Sequence, residues 1–321
     1  MYQIFKKMQI AIPFFLITSI STVRADDFSM TDGCPQFCEP ACFCSQACGQ
    51  FFLDAQILYI RAFEGGLSSP CEGTQVINST ENGILISRLT GKAHDPDFKW
   101  HLGFRMGVGY EFADYPSDIG VYWMHYNPHA DDDHNDYWNI DFNMVDVRYG
   151  WASHWSIDCS RNSILTLFSG LRCARINQKI LSHFVSSEDG ALTLSTERSR
   201  EGFLGIGPLL GIERDWRIGC GFSLYGNIAV AILYGKYHVR SNNSSAFATG
   251  FNVNHLVKHV QASQFVVDAG FGMRWKTCFC KNRFLILQLE LEHHRYFNHN
   301  QFCGYGDLSL DGMSLSAGIL Y

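Results

Sequence analysis

The clearest pattern in the chain is a strict alternation of apolar with polar or small residues between Phe98 and Phe112. It predicts one long β-strand with a single apolar face. That face is longer than strands of soluble sheets usually allow. Trp100 and Tyr110 lie on it ten residues apart, and a tilted strand of that length rises about 25 Å, the height of the apolar band of a transmembrane barrel. The segment is therefore predicted to cross a membrane.

The same alternation returns at the end of the sequence, from Met313 to Tyr321. An aromatic residue closes the segment on its apolar face. This ending resembles the C-terminal signal that bacterial barrel-assembly machinery reads, so that machinery is an expected partner. We expect Trp100, Tyr110 and Tyr321 to belong to the aromatic girdles of the barrel.

Eight further segments have the composition of strands. They are 50–62, 118–127, 137–150, 163–179, 201–215, 219–238, 258–277 and 283–297. The connections alternate in length, as in outer-membrane barrels with short periplasmic turns and long outer loops. The longer, polar links are 63–97, 128–136, 180–200, 239–257 and 298–307. Because an additional hairpin fits near Ile84, we predict an all-β, antiparallel transmembrane β-barrel of about 10–12 strands over residues 49–321.

The N-terminus is typical of a secretory signal peptide over residues 1–25. Lys6 and Lys7 precede the mostly apolar stretch Met8–Ile20, and Val23-Arg24-Ala25 fits a cleavage site. No later stretch has 18 uninterrupted apolar residues, so any membrane crossing requires a closed barrel. Charged residues make up only 17% of the chain, against about 25% in soluble proteins. With a net charge of −6 and no long basic run, nucleic acid is not an expected partner.

Four groups of short motifs carry a resemblance to a known family. They are Gly103–Tyr110; Gly170-Leu171-Arg172 with Ile176-Asn177-Gln178; Gly205–Gly211 followed by Leu233-Tyr234-Gly235; and Leu291–His294 before Asn300-Gln301-Phe302. Their order and spacing resemble the major outer membrane protein family of Legionella and of chlamydia-like bacteria, over roughly residues 50–321. The resemblance implies an abundant, porin-like barrel of the bacterial cell outer membrane with surface-exposed loops. In that wider group, cysteine cross-links are thought to stiffen the envelope. Chlamydial major porins are described as larger barrels, and the strand count here departs from them.

Five of the 12 cysteines crowd a short N-terminal arm, residues 26–48, which we expect in the periplasm. In an exported protein such density favours disulfides, and a zinc site is the alternative. Three more cysteines lie in turns predicted to be periplasmic, so the arm is expected to bond to them or to other cysteine-rich envelope proteins. The disulfide candidates are Cys34, Cys38, Cys42, Cys44, Cys48, Cys159, Cys278 and Cys280.

Two clusters contain residues that commonly bind metals, but neither has the spacing of a known metal-binding motif. The acidic segment 129–136 lacks the pattern of an EF-hand and is predicted to be a solvated outer loop. Glu292-His293-His294 lacks the two-residue gap of helical zinc motifs and is predicted to hydrogen-bond at the rim or in the lumen. Ten-stranded outer-membrane proteases use Asp and His at the rim, but no paired motif stands out here. We therefore expect no enzyme activity, no metal and no cofactor.

Two functions fit the predicted barrel. The favoured one is a porin that allows passive diffusion of small solutes and contributes to envelope structure, with Lys99, His101, Arg105 and Glu111 lining the lumen. The alternative is a non-conducting structural or adhesive barrel, cross-linked by disulfides. Barrels of about eight strands are filled by side chains, whereas 16–18 strands leave an aqueous channel. Outer-membrane lipid and lipopolysaccharide are expected partners in both cases.

Overall fold

The computed structural model describes residues 49–321 apart from short gaps. The gaps are 66–68, 71–74, 82–83, 91–92, 95–97, 114, 132–136, 154–162, 189–190, 248–249, 281–282 and 302–305. The signal peptide predicted at 1–25 and the arm predicted at 26–48 lie outside the described residues.

The described chain is built from β-strands. They are β1 (Gln50–Glu64), β2 (Ser69–Pro70), β3 (Gln75–Glu81), β4 (Ile84–Thr90), β5 (Ala93–His94), β6 (His101–Glu111), β7 (Ser117–Tyr126), β8 (His129–Asp131), β9 (Tyr137–Ser153), β10 (Ser163–Glu188), β11 (Ala191–Gly219), β12 (Phe222–Phe247), β13 (Gly250–Cys280), β14 (Arg283–Asn300) and β15 (Gly306–Leu320). Within this part of the chain, no helix is long and apolar enough to cross a membrane.

Ten of these strands form one closed antiparallel sheet. Its order is β10-β11-β12-β13-β14-β15-β1-β6-β7-β9, and β9 pairs back onto β10. The first and last described strands, β1 and β15, are neighbours, with Leu53 opposite Ile319. The predicted antiparallel β-barrel is confirmed, and its strand number is ten. The hairpin expected near Ile84 is formed by β3 and β4, which make a separate two-stranded sheet.

The outer surface of the barrel wall is apolar, as a lipid-facing surface requires. Its exposed large side chains include Leu53, Ile57, Leu102, Met106, Val108, Leu204, Ile206, Leu210, Ile228, Val230, Ile232, Leu289, Leu291 and Leu315. Aromatic rings border this surface at both ends. Tyr59 stacks on Trp100 with ring centroids 5.1 Å apart, and Phe51 meets Tyr110 edge-on at 4.9 Å near the opposite end.

Four consecutive strands are much longer than the rest. β10, β11, β12 and β13 have 26, 29, 26 and 31 residues, whereas β6 and β7 have 11 and 10. The links predicted at 180–200 and 239–257 are therefore wrong, because these segments continue the strands up to the pairs Glu188–Ala191 and Phe247–Gly250. Beyond the lipid the outward face of a strand is wet, so the apolar alternation stops while the hydrogen-bond ladder continues. We call these extensions, residues 175–188, 191–203, 235–247 and 250–263, the tall sheet.

The opposite end of the same strands is closed by tight connections. Between β11 and β12, Gly219, Cys220 and Gly221 all have positive φ values, of 135°, 53° and 80°. At Gly221 an added Cβ would lie 2.3 Å from the carbonyl oxygen of Lys276, so both the backbone and the space favour glycine. Past the lipid-facing surface the chain turns back within a few residues at this end, but only after the long extensions of the tall sheet at the other. Because outer-membrane barrels have short periplasmic connections and longer extracellular ones, the tall sheet rises on the extracellular side.

Candidate functional site: the barrel interior

A network of buried ion pairs crosses the interior at mid-height. Arg172 on β10 binds Asp146 on the adjacent β9, with Nε–Oδ1 2.7 Å, and Asp268 on β13, with Nη1–Oδ2 2.5 Å. From Asp268 the network continues to His294 on β14, at 2.8 Å. Arg172 is fully buried. Since β10 and β13 are separated by two strands in the sheet, the Arg172–Asp268 contact runs through the lumen rather than along the wall.

The network reaches the other side of the barrel through Arg105 on β6. Arg105 binds Glu292 on β14 at 2.6 Å and donates to Gln56 on β1 at 2.9 Å. Glu292 and His294 also contact each other, 3.0 Å apart. Each buried charge therefore has a partner of opposite sign or a hydrogen-bonding neighbour, which is the condition under which buried ions are tolerated.

A second polar cluster fills the periplasmic half of the interior. Arg274 on β13 binds Asp215 at 2.6 Å and Glu213 at 3.1 Å, both on β11. Its guanidinium lies over the ring of Tyr225, 4.3 Å from the centroid, and its Nε donates to Gln288 on β14. The cluster ties four strands, β11 to β14, together from the inside.

Above the ionic network, the interior is apolar. Twelve side chains contributed by eight of the ten barrel strands are at most 1% exposed: Leu58, Ile60, Met124, Tyr126, Ile140, Phe142, Ala174, Ile176, Leu233, Val266, Tyr296 and Leu310. The rings of Phe142 and Tyr296 meet edge-on with centroids 5.6 Å apart. The hydroxyl of Tyr126 donates to the backbone oxygen of Ile60, 2.7 Å away. We call this set the apolar layer. It packs like a protein core and separates the ionic network from the outer mouth.

A small polar pocket lies on the extracellular side of the apolar layer. Gln178 donates to Glu64 at 2.9 Å, and the backbone N–H of Gln301 donates to Glu201 at 2.9 Å. His299 Nε2 lies 4.0 Å from Glu201 Oε1. One oxygen of each carboxylate and Nε2 of His299 are buried without a hydrogen-bond partner among the described residues. We call Glu64, Gln178, Glu201 and His299 the outer polar pocket.

The outer polar pocket lies outside the lipid-facing belt, because Glu201 pairs with Val239, beyond Tyr234, the outermost exposed aromatic residue described on β12. Burial raises the pKa of Glu201 to about 8, against the opposing hydrogen bond from Gln301. Burial also raises the pKa of Glu64, and the nearby charge of Glu201 adds to that shift. Burial lowers the pKa of His299 to about 3. The pocket therefore favours neutral forms of all three groups near neutral pH.

Comparison with protein families matches residues 44–317 to the Legionella pneumophila major outer membrane protein precursor. That match spans most of the chain and nearly all of the barrel. The chain belongs to the Legionella major outer membrane protein family. As a member of that family with a closed transmembrane barrel, it is a protein of the bacterial outer membrane. Comparison with curated protein sequences finds no significant match.

Several solved outer-membrane barrels are similar to this family member at low identity. The outer membrane protease OmpT of Escherichia coli is 12% identical, with 85% of this chain and 96% of OmpT covered and a TM-score of 0.41. The attachment invasion locus protein Ail of Yersinia pestis is 12% identical, with 85% and 99% covered and a TM-score of 0.23. The toluene transporter TbuX of Ralstonia pickettii is 7% identical, with 85% and 89% covered and a TM-score of 0.35. Likenesses this weak carry no information on activity.

The four residues predicted to line the lumen of this family member occupy different levels. Arg105 belongs to the ionic network. His101 is half-buried near the outer mouth, where its ring meets that of His129 at 4.3 Å. Lys99 and Glu111 are exposed just before β6 and at its periplasmic end. Their role as a lumen lining stays a prediction.

The structure also shows the positions of the predicted aromatic girdle residues and of the two clusters considered as metal sites. Trp100 and Tyr321 are exposed and Tyr110 is half-buried. Glu292 and His294 hydrogen-bond inside the lumen as expected, whereas His293 points outward and pairs with Asp311. Of the acidic segment 129–136, residues 132–136 lie outside the described residues.

The cysteines are only partly covered by the described structure. Cys34, Cys38, Cys42, Cys44, Cys48 and Cys159 lie outside it, as does the side chain of Cys280. Cys220 and Cys278 at the periplasmic end are each disulfide-bonded rather than free. Cys173 is free. The disulfides of the N-terminal arm stay a prediction.

Sequence reasoning missed most of the interior network. Arg172 and Asp268 were not selected, although each is a charged residue in a strand whose outward neighbours are apolar. That is the local signal that could have found them, since a charge opposite a lipid-facing position must point into the lumen.

Proposed function

We propose that this protein is a closed structural barrel of the outer membrane that anchors the tall sheet at the cell surface. The observation that carries the proposal is the apolar layer, in which side chains from eight strands meet with at most 1% exposure. Ions and polar solutes cross such a layer only after it opens, because they would have to lose their hydration.

The ionic network and the strand number also support a closed barrel. Arg172, Asp146 and Asp268 bind across the lumen, so widening the interior would separate buried charges. Ten strands exceed only slightly the eight that side chains alone can fill. The tall sheet adds a large extracellular surface that a simple pore does not need.

The test is planar-bilayer conductance of the folded protein, with heat-modifiable gel migration as proof of folding. The wild-type protein is expected to show no stable conductance steps. A variant with Tyr126→Ala, Phe142→Ala and Tyr296→Ala hollows the apolar layer and is expected to conduct. The matched control, Leu204→Ala, Ile206→Ala and Leu210→Ala, truncates side chains that face lipid and should stay silent.

A second candidate is a porin for small solutes, favoured by the polar cluster around Arg274 and by the charges around Arg105 in the remaining interior. Stable steps from the wild-type protein that vanish on heat denaturation would establish this candidate and overturn the closed barrel. In that case Arg105→Gln, which removes a lumen charge, should shift the selectivity between cations and anions.

The structural role also includes the proposal that the cysteine-rich arm cross-links the envelope. The density of cysteines in an exported segment supports it. Non-reducing gels of native membranes should show oligomers that collapse with reductant. Monomer under both conditions would exclude intermolecular cross-links while leaving the closed barrel untouched.

A further inference from the structure

Six cationic side chains face outward on the part of the tall sheet nearest the membrane. They are Arg175 and Lys179 on β10, Arg198 and Arg200 on β11, and Lys236 and Arg240 on β12. All six are exposed, whereas Ser199 on β11 and Tyr237 and Val239 on β12, which point to the other face of the sheet, are buried. We call this surface the basic face. Its residues are scattered over more than 60 positions of the sequence, from 175 to 240, so it forms no basic run and only the register assembles it.

The register places like charges side by side. Lys179 is directly opposite Arg200, and Arg200 is directly opposite Arg240. Paired positions on neighbouring strands lie about 5 Å apart, and like charges at such positions destabilise a sheet. This row of three cations costs folding energy unless an anion binds over it.

The described part of the protein supplies no such anion. None of the six cations forms an ion pair with another described residue. The acidic neighbour on this face is Asp141 on β9, opposite Asn177, and it is held at the edge by hydrogen bonds from Asn143 and Asn177, at 2.8 and 3.3 Å. Among the described residues, therefore, nothing compensates the charge at the centre of the basic face.

The height of the basic face identifies the partner. Tyr234, which is 61% exposed, marks the outer border of the apolar surface on β12, and Lys236 follows it on the same face. His238 and His259, hydrogen-bonded to each other through their Nδ1 atoms, lie in the next row. Aromatic residues sit at the headgroup level of a membrane, so the cations meet the headgroups of the outer leaflet.

We propose that the basic face binds the phosphate groups of lipopolysaccharide in the outer leaflet. Arginine and lysine are the side chains that bind phosphate, arginine through paired N–H donors. A surface lysine or arginine contributes about 1 kcal/mol to attraction by anionic lipids, and three of them correspond to roughly a hundredfold in affinity. The bound glycolipid offsets the repulsion within the row of Lys179, Arg200 and Arg240.

The experiment compares two triple variants of the folded, detergent-solubilised full chain. The test variant is Lys179→Gln, Arg200→Gln and Arg240→Gln. The matched control, Arg214→Gln, Arg217→Gln and Arg283→Gln, removes the same charge from exposed positions at the periplasmic end. Binding to purified lipopolysaccharide and to enzymatically dephosphorylated lipopolysaccharide is measured by surface plasmon resonance, with heat-modifiable migration confirming folding.

The test variant is expected to bind intact lipopolysaccharide at least tenfold more weakly than the wild type, whereas the control variant stays within twofold. Dephosphorylation should weaken wild-type binding to a similar degree, and raised salt should do the same by screening. Equal binding by both triple variants, or wild-type binding that survives dephosphorylation, would overturn the proposal. Tighter binding to heparin than to lipopolysaccharide would also overturn it, since the occupant would then be an acidic polysaccharide. Should the triple variant fail to fold, Arg240→Gln alone is expected to give a smaller loss in the same direction.

Discussion

Arg172 and Asp268 meet inside the barrel with 2.5 Å between Nη1 and Oδ2, although two strands separate them in the wall. The contact fixes the distance between two parts of the ring that are not neighbours, which backbone pairing between adjacent strands cannot do alone. Asp146 holds the same guanidinium from the other side. The three residues act as an internal brace whose loss leaves buried charge behind.

Replacing Arg172 should therefore destabilise the barrel. Arg172→Met leaves Asp146 and Asp268 buried beside each other, and we expect a loss of about 3 kcal/mol in the free energy of unfolding. The loss is held to this level because Asp146 keeps Arg148, and Asp268 keeps His294. Urea unfolding in detergent, followed by tryptophan fluorescence, measures it.

The control for this prediction is a salt bridge of similar length on the surface. Arg295 and Asp307 are 2.6 Å apart but 45% and 26% exposed, so Arg295→Met should cost about 1 kcal/mol or less. Adding Asp268→Asn to Arg172→Met should recover part of the loss, because it removes one of the unpaired charges. If Arg172→Met and Arg295→Met were equally stable, the internal brace would not contribute to the stability of the barrel.

The outer polar pocket should make stability fall between pH 6.5 and 8. Folded Glu201 keeps its proton up to a pKa of about 8, whereas the unfolded side chain loses it near 4.5. The folded state therefore binds more protons in that interval, and the free energy of unfolding decreases as the pH rises. Glu64 acts in the same direction, and Lys258 opposes it by favouring the charged form of Glu201.

Between pH 6.5 and 8, the titration of His299 contributes little to the change in the free energy of unfolding. Its folded pKa of about 3 and ordinary value of 6.5 make stability rise with pH below 6.5, in the opposite sense. Thermal unfolding at pH 6.5 and 8 should show a clear drop for the wild type and a smaller drop for Glu201→Gln. Asp307→Asn, at the exposed pair with Arg295, should keep the wild-type difference. The same drop in Glu201→Gln would contradict the assignment.

The orientation of the barrel gives a third prediction. His255→Cys, at an exposed position of the tall sheet outside the basic face, should react in intact cells with a large, membrane-impermeant polyethylene glycol maleimide. Arg217→Cys, beside the tight β11–β12 turn, should react only after the outer membrane has been permeabilised. The parent chain measures the reactivity of the native cysteines. The reverse pattern would put the tall sheet in the periplasm and remove the basis for lipopolysaccharide binding.

The barrel could be predicted from the sequence because lipid imposes the alternation that strands reveal. Phe98 to Phe112 predicted β6, and Arg105 was placed on its inner face, where it lies in the ionic network. The lengths of β10 to β13 could not be predicted in the same way, since the strict apolar alternation does not continue into their outer parts. For that reason half of the basic face, Arg198, Arg200 and Arg240, lies in segments that the sequence assigns to links.

The contacts across the lumen were beyond reach for a different reason. Arg172 and Asp268 are 96 residues apart, and their meeting depends on the register of every strand between them. The closure of the apolar layer depends in the same way on which inner side chains share a level. Local sequence patterns predict whether a side chain points into the lumen or toward lipid, but not which side chain it contacts across the lumen.

The unequal strand lengths also determine which neighbouring strands would separate first under force. β7 has 10 residues and is the shortest strand of the ring, and both of its seams, with β6 and β9, are correspondingly short. The seams among β10, β11, β12 and β13 are more than twice as long. A force that pulls the sheet apart would therefore break the hydrogen bonds along β7 first. The side of the barrel around β7 is mechanically the weakest, and the side formed by β10 to β13 is the strongest.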